Sequence, residues 1–192
     1  AYTDGGNGFA ATVMTFDGVS WQNVGSAGFS ASAALCTIAI DGNDVPYVAY
    51  RDGGNDWRAT VMKYEDNNWQ SVGSPTTLWL KAIEMVAPDD GWAVGQGTLL
   101  HWDGAAWHEA MRLEGGEMLR GLDMLSATDG WAVGWNGLMM HYDGNAWTRV
   151  SSGTGVHLHA ISMVDADTGW AVGDDGLILK YNGNKWKVQN SK

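Results

Sequence analysis

The feature that most constrains this chain is one hairpin written five times. ATVMTFDGVSWQNVG (11–25) matches ATVMKYEDNNWQSVG (59–73) at an offset of 48 residues. LLHWDGAAWHEA (99–110), LMMHYDGNAWTRV (138–150) and LILKYNGNKWKVQ (177–189) repeat the same plan. An aromatic stands before each turn (Phe16, Tyr64, Trp102, Tyr142, Tyr181) and a tryptophan after it (Trp21, Trp69, Trp107, Trp147, Trp186). The turns between them carry DG, ED or NG, residues that take up the angles of a tight hairpin at little cost.

Upstream of four of these hairpins lies another: LCTIAIDGNDVPYVAY (35–50), LKAIEMVAPDDGWAVG (80–95), LRGLDMLSATDGWAVG (119–134) and LHAISMVDADTGWAVG (158–173). Each is an apolar strand, a polar turn and a second apolar strand. Strands that are apolar at nearly every position are covered on both faces. Four antiparallel strands, A to D, repeated at 38 to 48 residues, predict an all-β fold, a β-propeller of four-stranded blades. A β-solenoid has shorter repeats and lacks the double hairpin. The complete blades fall at 35–73, 78–110, 118–150 and 157–189, within a single domain spanning 1–192. Residues 1–25 align with 49–73 and predict a half-blade: the end of strand B with strands C and D, but no strand A. The expectation is a truncated or self-associating array rather than a closed monomeric ring, because open blade faces invite association.

Composition agrees. Only 17% of residues are charged, while 27 are Gly and 12 are Trp, as suits β-structure with many tight turns. The net charge of −11 argues against nucleic acid and against an anionic membrane surface. No apolar run approaches the ~20 residues of a membrane span, so membrane insertion is not expected. Cys36 is the single cysteine; no intrachain disulfide can form, and the thiol reads as a small core residue. The chain opens on Ala1 rather than Met, which reads as a processed or excised piece.

The GWAVG…G…YDGxxW units (92–107, 131–147, 170–186) resemble the photosystem II assembly-factor propellers and, more loosely, the Asp-box repeats of bacterial neuraminidases. YDGNAW lacks the leading Ser of an Asp box and is shorter. The unit at 39–64 resembles a repeat common in secreted bacterial propellers, which implies an extracellular or periplasmic location. The resemblance covers nearly the whole chain. It implies a propeller fold and leaves function open.

Propeller topology sorts the loops. Strands alternate in direction, so the A–B and C–D turns share one face and the D–A and B–C connections the other. The first face is acidic: Asp41, Asp44, Asp89, Asp90, Asp129, Asp165 and Asp167, joined by Asp17, Glu65, Asp66, Asp103 and Asp143. Turn chemistry accounts for these residues. DADTG (165–169) offers carboxylates at alternate positions, a calcium-like spacing, but lacks the later ligands of an EF-hand loop; no cofactor or metal is expected.

The second face collects the aromatics that the repeat does not require. Eight tryptophans fill repeat columns, five in strand D and three in GWAVG, and Trp102 fills the aromatic column before the turn. Trp57, Trp79 and Trp135 are left over. Trp57, Trp135 and Phe9 align in the B–C loop, where the other blades have Gly95 and Asp174; Trp79 lies in a D–A connection. Near the start of strand A a second column reads Cys36, Lys81, Arg120 and His159, placed to ring the channel mouth. The plainer reading pairs Lys81 and Arg120 with Glu84 and Asp123 or leaves them solvated, while the functional one is an anion or ligand site. His101 and His141 share a strand C position and read as hydrogen-bonded histidines rather than metal ligands.

Three functions fit. The favoured one is a non-catalytic binding module, with Trp57, Trp135, Phe9 and Trp79 contacting a glycan or protein and Lys81, Arg120 and His159 orienting it. The second is an assembly scaffold that self-associates through incomplete blades, or belongs to a longer parent chain, and holds an acidic partner segment on its basic ring. The third is a sialidase-like glycoside hydrolase, suggested by the Asp-box likeness alone. That chemistry needs an arginine cluster and an acid/base pair, and only Arg120 of the five arginines falls in the inner ring.

Overall fold

A computed structural model describes residues 1–189. The fold is a β-propeller array of antiparallel blades. Blade 1 comprises Ala33–Ile40, Pro46–Asp52, Arg58–Glu65 and Asn68–Ser71 as strands A to D. Blade 2 comprises Leu80–Ala87, Asp90–Gly95, Thr98–Trp102 and Trp107–Arg112. Blade 3 comprises Leu119–Ser126, Asp129–Gly134, Met139–Tyr142 and Trp147–Arg149. Blade 4 comprises Leu158–Asp165, Thr168–Gly173, Ile178–Tyr181 and Trp186–Val188. Each is a simple meander in the order A-B-C-D. Strand A of each blade touches strand A of the next, which places the A strands innermost. Before blade 1, Tyr2–Asp4 pairs with Ala10–Thr12, and Met14–Phe16 pairs with Trp21–Asn23.

The core is divided into four slabs, one at each junction between successive sheets. The slab between blades 2 and 3 joins Trp92, Val94 and Leu99 to Leu119, Met124, Ala132, Met140 and Trp147. The slab between blades 3 and 4 joins Trp131, Val133 and Met139 to Leu158, Ile161, Met163, Ala171, Leu179 and Trp186. In the repeat GWAVG, Trp and Val face the following blade while Ala faces the preceding one. Strand alternation delivers this directly, and it explains why strand B is apolar throughout.

The aromatic columns meet in the slabs. Trp147 stands edge-on to Trp92 with ring centroids 5.4 Å apart, and Tyr142 lies 4.8 Å from the same indole. Trp186 and Tyr181 repeat this on Trp131 at 5.5 and 5.0 Å. The C–D aromatic pair of one blade is therefore the plug, and the strand B aromatic of the preceding blade is the seat. The first glycine of GWAVG makes room for a methionine: a Cβ at Gly91 would come within 2.5 Å of Met85 Sδ, and Gly130 and Gly169 face Met124 and Met163 in the same way.

Candidate ligand-binding face

The B–C hairpins come in two lengths. In blade 1 the strand ladder runs on to the pair Asp52–Arg58 and closes over a short turn at Gly53–Asn55. Asp52 accepts the Gly54 N–H at 2.9 Å, and Trp57, in the left-handed region at φ 58°, donates its N–H to Asp52 O at 2.8 Å. The half-blade copies this: Asp4 accepts from Gly6 at 3.0 Å, and Phe9, at φ 63°, donates to Asp4 O at 2.8 Å. Phe9 and Trp57 are thus equivalent.

Trp135 is not. In the shorter hairpin of blade 3 it stands on the strand B side, and its N–H reaches Met118 O at 2.9 Å. Gln96 and Asp174 make the matching bonds to Trp79 O and His157 O. The expected alignment of Trp135 with Trp57 and Phe9 is therefore corrected. Its counterparts are Gln96 and Asp174, because the extended ladder of blade 1 carries its turn residues further from the core.

The longer hairpin brings Arg51 into the site. Its guanidinium lies 4.2 Å from the centroid of Trp79 and 5.5 Å from that of Trp57, and its Nε donates to Trp57 O at 3.3 Å. Lys81 Nζ lies 5.7 Å from the Trp79 ring. Such contacts contribute about 0.5–2 kcal/mol each and fix the indoles in place. Burial lowers the Lys81 pKa, and the nearby cations Arg120 and Arg51 push it the same way. Sequence reading passed over Arg51. The available signal was that AYRDGG extends the strand B ladder and sets Arg51 beside Trp57 at the same hairpin end.

The plainer pairing of Lys81 and Arg120 with Glu84 and Asp123 is not formed. Glu84 Oε2 accepts the Met124 N–H of the next blade at 3.0 Å, and Asp123 accepts that of Met163. A half-buried carboxylate needs a donor. A fixed backbone N–H supplies one without the side-chain entropy that a lysine would lose. Burial and the neighbouring Asp123 push Glu84 up to about 7 despite that bond, and burial raises Asp123 as well. Among the described residues, Arg51, Lys81 and Arg120 therefore form no ion pair.

The other expected site residues make contacts of their own. His159 Nε2 is hydrogen bonded to Asp174, which holds that carboxyl below its ordinary range; Arg120 adds a weaker pull. Trp135 stacks on His157 with centroids 5.5 Å apart. It also edges a cleft of about 420 Å³ that the Glu117–Arg149 ion pair lines on another side. Phe9 is exposed on the half-blade. Trp57, Trp79 and Lys81 gather with Arg51; Arg120 lies in electrostatic reach of both Lys81 and the His159–Asp174 pair, while Trp135 and Phe9 do not join them.

On the opposite face the carboxylates serve the turns. Asp17, Asp103 and Asp143 each accept two backbone N–H groups, from Val19 and Ser20, Ala105 and Ala106, and Asn145 and Ala146. Those bonds, with His108, hold Asp103 down at about 2. Buried Asp41 accepts from Asn43 and Val45. His101 and His141 bond Asp90 and Asp129 at 2.9 and 3.0 Å. Among the described residues, no three His, Cys, Asp or Glu side chains gather to hold a metal ion.

No known family model matches the chain, and no curated protein matches its sequence. Solved structures match its shape. YCF48 from Cyanidioschyzon merolae aligns over 90% of this chain and 61% of its own, at 16% identity and a TM-score of 0.65. YCF48 bound to D1 peptide aligns over 93% and 60%, at 14% identity and a TM-score of 0.66. The computationally designed Ika4 protein aligns over 84% of this chain and 98% of its own, at 17% identity and a TM-score of 0.62. This chain thus spans about three fifths of the YCF48 structures it matches. At these identities the likeness is one of fold: the chain has the architecture of a propeller.

Proposed function

We propose that this chain is a non-catalytic recognition propeller whose D–A/B–C face takes a carboxylate-rich polypeptide segment. One observation carries the reading. Arg51 and Lys81 stand in no ion pair, against exposed Trp57 and Trp79 and with Arg120 in electrostatic reach of Lys81, in a chain whose net charge is −11. Carboxylates from outside would meet cations that need release no internal partner. The cation–π contacts already hold the indoles, so little rotamer freedom is lost on binding. Arginine and tryptophan are also the residues that anchor protein interfaces. The fold neighbour YCF48, solved bound to D1 peptide, supports a polypeptide as the ligand class. Hydrolysis finds no support, since Glu84 and Asp123 are tied to backbone N–H groups rather than set as an acid/base pair.

The test is fluorescence anisotropy with a labelled peptide alternating Glu and Tyr, beside the same peptide with Gln for Glu. The acidic peptide should bind and should weaken steeply as salt rises. The double variant Arg51→Glu, Lys81→Glu should weaken it at least about tenfold, since each reversed charge removes an attraction and adds a repulsion. Equal binding of the Gln peptide would sink the reading. Preferential binding of neutral oligosaccharides would hand the same indoles to a glycan.

A further inference from the structure

The cleft beside Trp135 is walled by the connection from blade 2 to blade 3, the B–C turn of blade 3 and the end of its strand D. Its aromatic platform is fixed in advance. Trp135 donates its N–H to Met118 O at 2.9 Å and accepts the Leu138 N–H at 3.0 Å. His157 stacks on the indole from outside the cleft, and its Nδ1 accepts the Asn136 N–H at 2.8 Å. The indole is still 42% exposed. Another wall is a fork-to-fork ion pair, in which Arg149 Nη1 and Nη2 donate to Oε1 and Oε2 of Glu117. The bonds to Arg149 hold the Glu117 carboxyl below its ordinary range, and Glu117 raises the guanidinium. Both partners are therefore charged at neutral pH, and the pair sums to zero. The Asn136 side-chain amide makes no hydrogen bond among the described residues. Gly115 and Gly116 line this cleft and also a second one of about 450 Å³, which Gln96 and Arg112 help to form.

We propose that this cleft binds a neutral oligosaccharide, with one pyranose ring against Trp135 and its hydroxyls on the Glu117–Arg149 pair and the Asn136 amide. A pyranose has an apolar C–H face and a rim of hydroxyls, each both donor and acceptor. The indole covers the face, and little rotamer freedom is lost because the ring is already propped. The ion pair sets spare carboxylate lone pairs beside spare guanidinium N–H groups. Neighbouring hydroxyls can donate to one and accept from the other, in charge-assisted bonds. Zero net charge separates this cleft from the Arg51 cluster: a neutral polyol covers it without leaving an unpaired charge. Its volume of about 420 Å³ falls in the range of small-ligand clefts. The wall shared with the second cleft is bare backbone at Gly115 and Gly116, where a Cβ would meet nothing within 4 Å. A second sugar ring thus has a path toward Gln96 and Arg112, the latter already bonded to Glu109 at 2.9 Å. Arg51 lines neither cleft, so the sugar and peptide sites are separate.

The experiment is isothermal titration calorimetry of the full chain with cellotetraose, chitotetraose and maltotetraose, each variant being checked for folding by circular dichroism. At least one sugar should bind, with an affinity that stays level between about 50 and 500 mM salt, because the ligand carries no charge. Trp135→Ala should weaken it at least about tenfold, as loss of a central aromatic anchor does. Trp135→Phe should recover part of that loss. The double variant Glu117→Gln, Arg149→Gln keeps polar groups in place but removes the charge assistance, and should also weaken binding about tenfold. Arg51→Glu, Lys81→Glu should bind the sugar as wild type does, which keeps failure of this site distinct from failure of the peptide site. No heat from any of the three sugars overturns the proposal. So does sugar binding that Trp135→Ala leaves intact. Steeply salt-dependent binding of the Glu/Tyr peptide that Trp135→Ala removes would make the cleft a polypeptide site and overturn it too.

Discussion

GWAVG occurs at 130–134 and again at 169–173, five identical residues on strand B of adjacent blades. Trp131 of the first is buried under Tyr181 and Trp186, while Trp170 of the second faces outward with Lys180 beside it. Nothing in the pentapeptide distinguishes them. In a repeat array, burial is conferred by the following unit and not by the unit itself. The comparison separates two kinds of exposed tryptophan: those on a face that no described blade covers and those held open by their own contacts.

The largest expected effect tests the first kind. Trp131→Ala should destabilise the chain by about 3–5 kcal/mol, because it empties a packed slab and leaves Tyr181 and Trp186 without their seat. Trp170→Ala, measured at low concentration by urea denaturation, should cost under about 1 kcal/mol, in the range of ordinary surface changes. Equal losses at the two sites would show that blade 4 is covered in solution even at dilution.

The junctions differ from the end face in electrostatics too. Glu84 and Asp123 each reach from strand A to a backbone N–H of the next blade; the same column in blade 4 holds Ser162. Burial lifts the Glu84 carboxyl from its ordinary 4.5 to about 7. The folded chain therefore binds a proton more tightly than the unfolded one. Between pH 4.5 and about 7 the folded state holds more protons, so stability falls as pH rises through that window and is level outside it. Asp123 acts with the same sign. Glu84→Gln keeps an acceptor for Met124 and removes the charge. It should raise stability above pH 7 by an amount on the order of 2 kcal/mol after solvent screening, and flatten the slope between pH 5 and 7. Urea midpoints measured at pH 5 and pH 8 check this; an unchanged slope would mean that Glu84 is solvated.

The strands were legible because the repeat states them five times. The C–D hairpins at Phe16–Trp21 and Tyr181–Trp186 pair as their aromatics predicted. The Met85, Met124 and Met163 column is core and packs beneath the GWAVG glycines. What the sequence hid was register and partnership. Trp135 reads as the counterpart of Trp57 until the longer ladder of blade 1 sets them on opposite limbs of unequal hairpins. Lys81 and Glu84 read as a pair until the next blade offers a backbone N–H. Both errors concern contacts between elements whose offset no single repeat encodes. Cys36 is half-buried rather than fully enclosed, and burial pushes its thiol up, as suits a packed, unreactive side chain.

The smallest expected effect separates the two leftover tryptophans that the sequence had joined. Both Trp57 and Trp135 are exposed, but each is propped differently, Trp57 by Arg51 and Trp135 by His157. If the carboxylate-binding reading holds, Trp57→Ala should weaken the acidic peptide about three- to tenfold, because it removes a contact surface and frees the Arg51 side chain, worth about 1 kcal/mol together. Trp135→Ala should leave that binding unchanged, since its ring belongs to the cleft beside Glu117 and Arg149. Neither change should lower stability by more than about 1 kcal/mol, because both rings are open to solvent. Equal weakening by the two variants would mean that the ligand spans blades 1 to 3 and that the loop face works as one surface. Weakening by Trp135→Ala alone would move the site to the cleft and leave the three cations at the channel mouth without the role assigned to them.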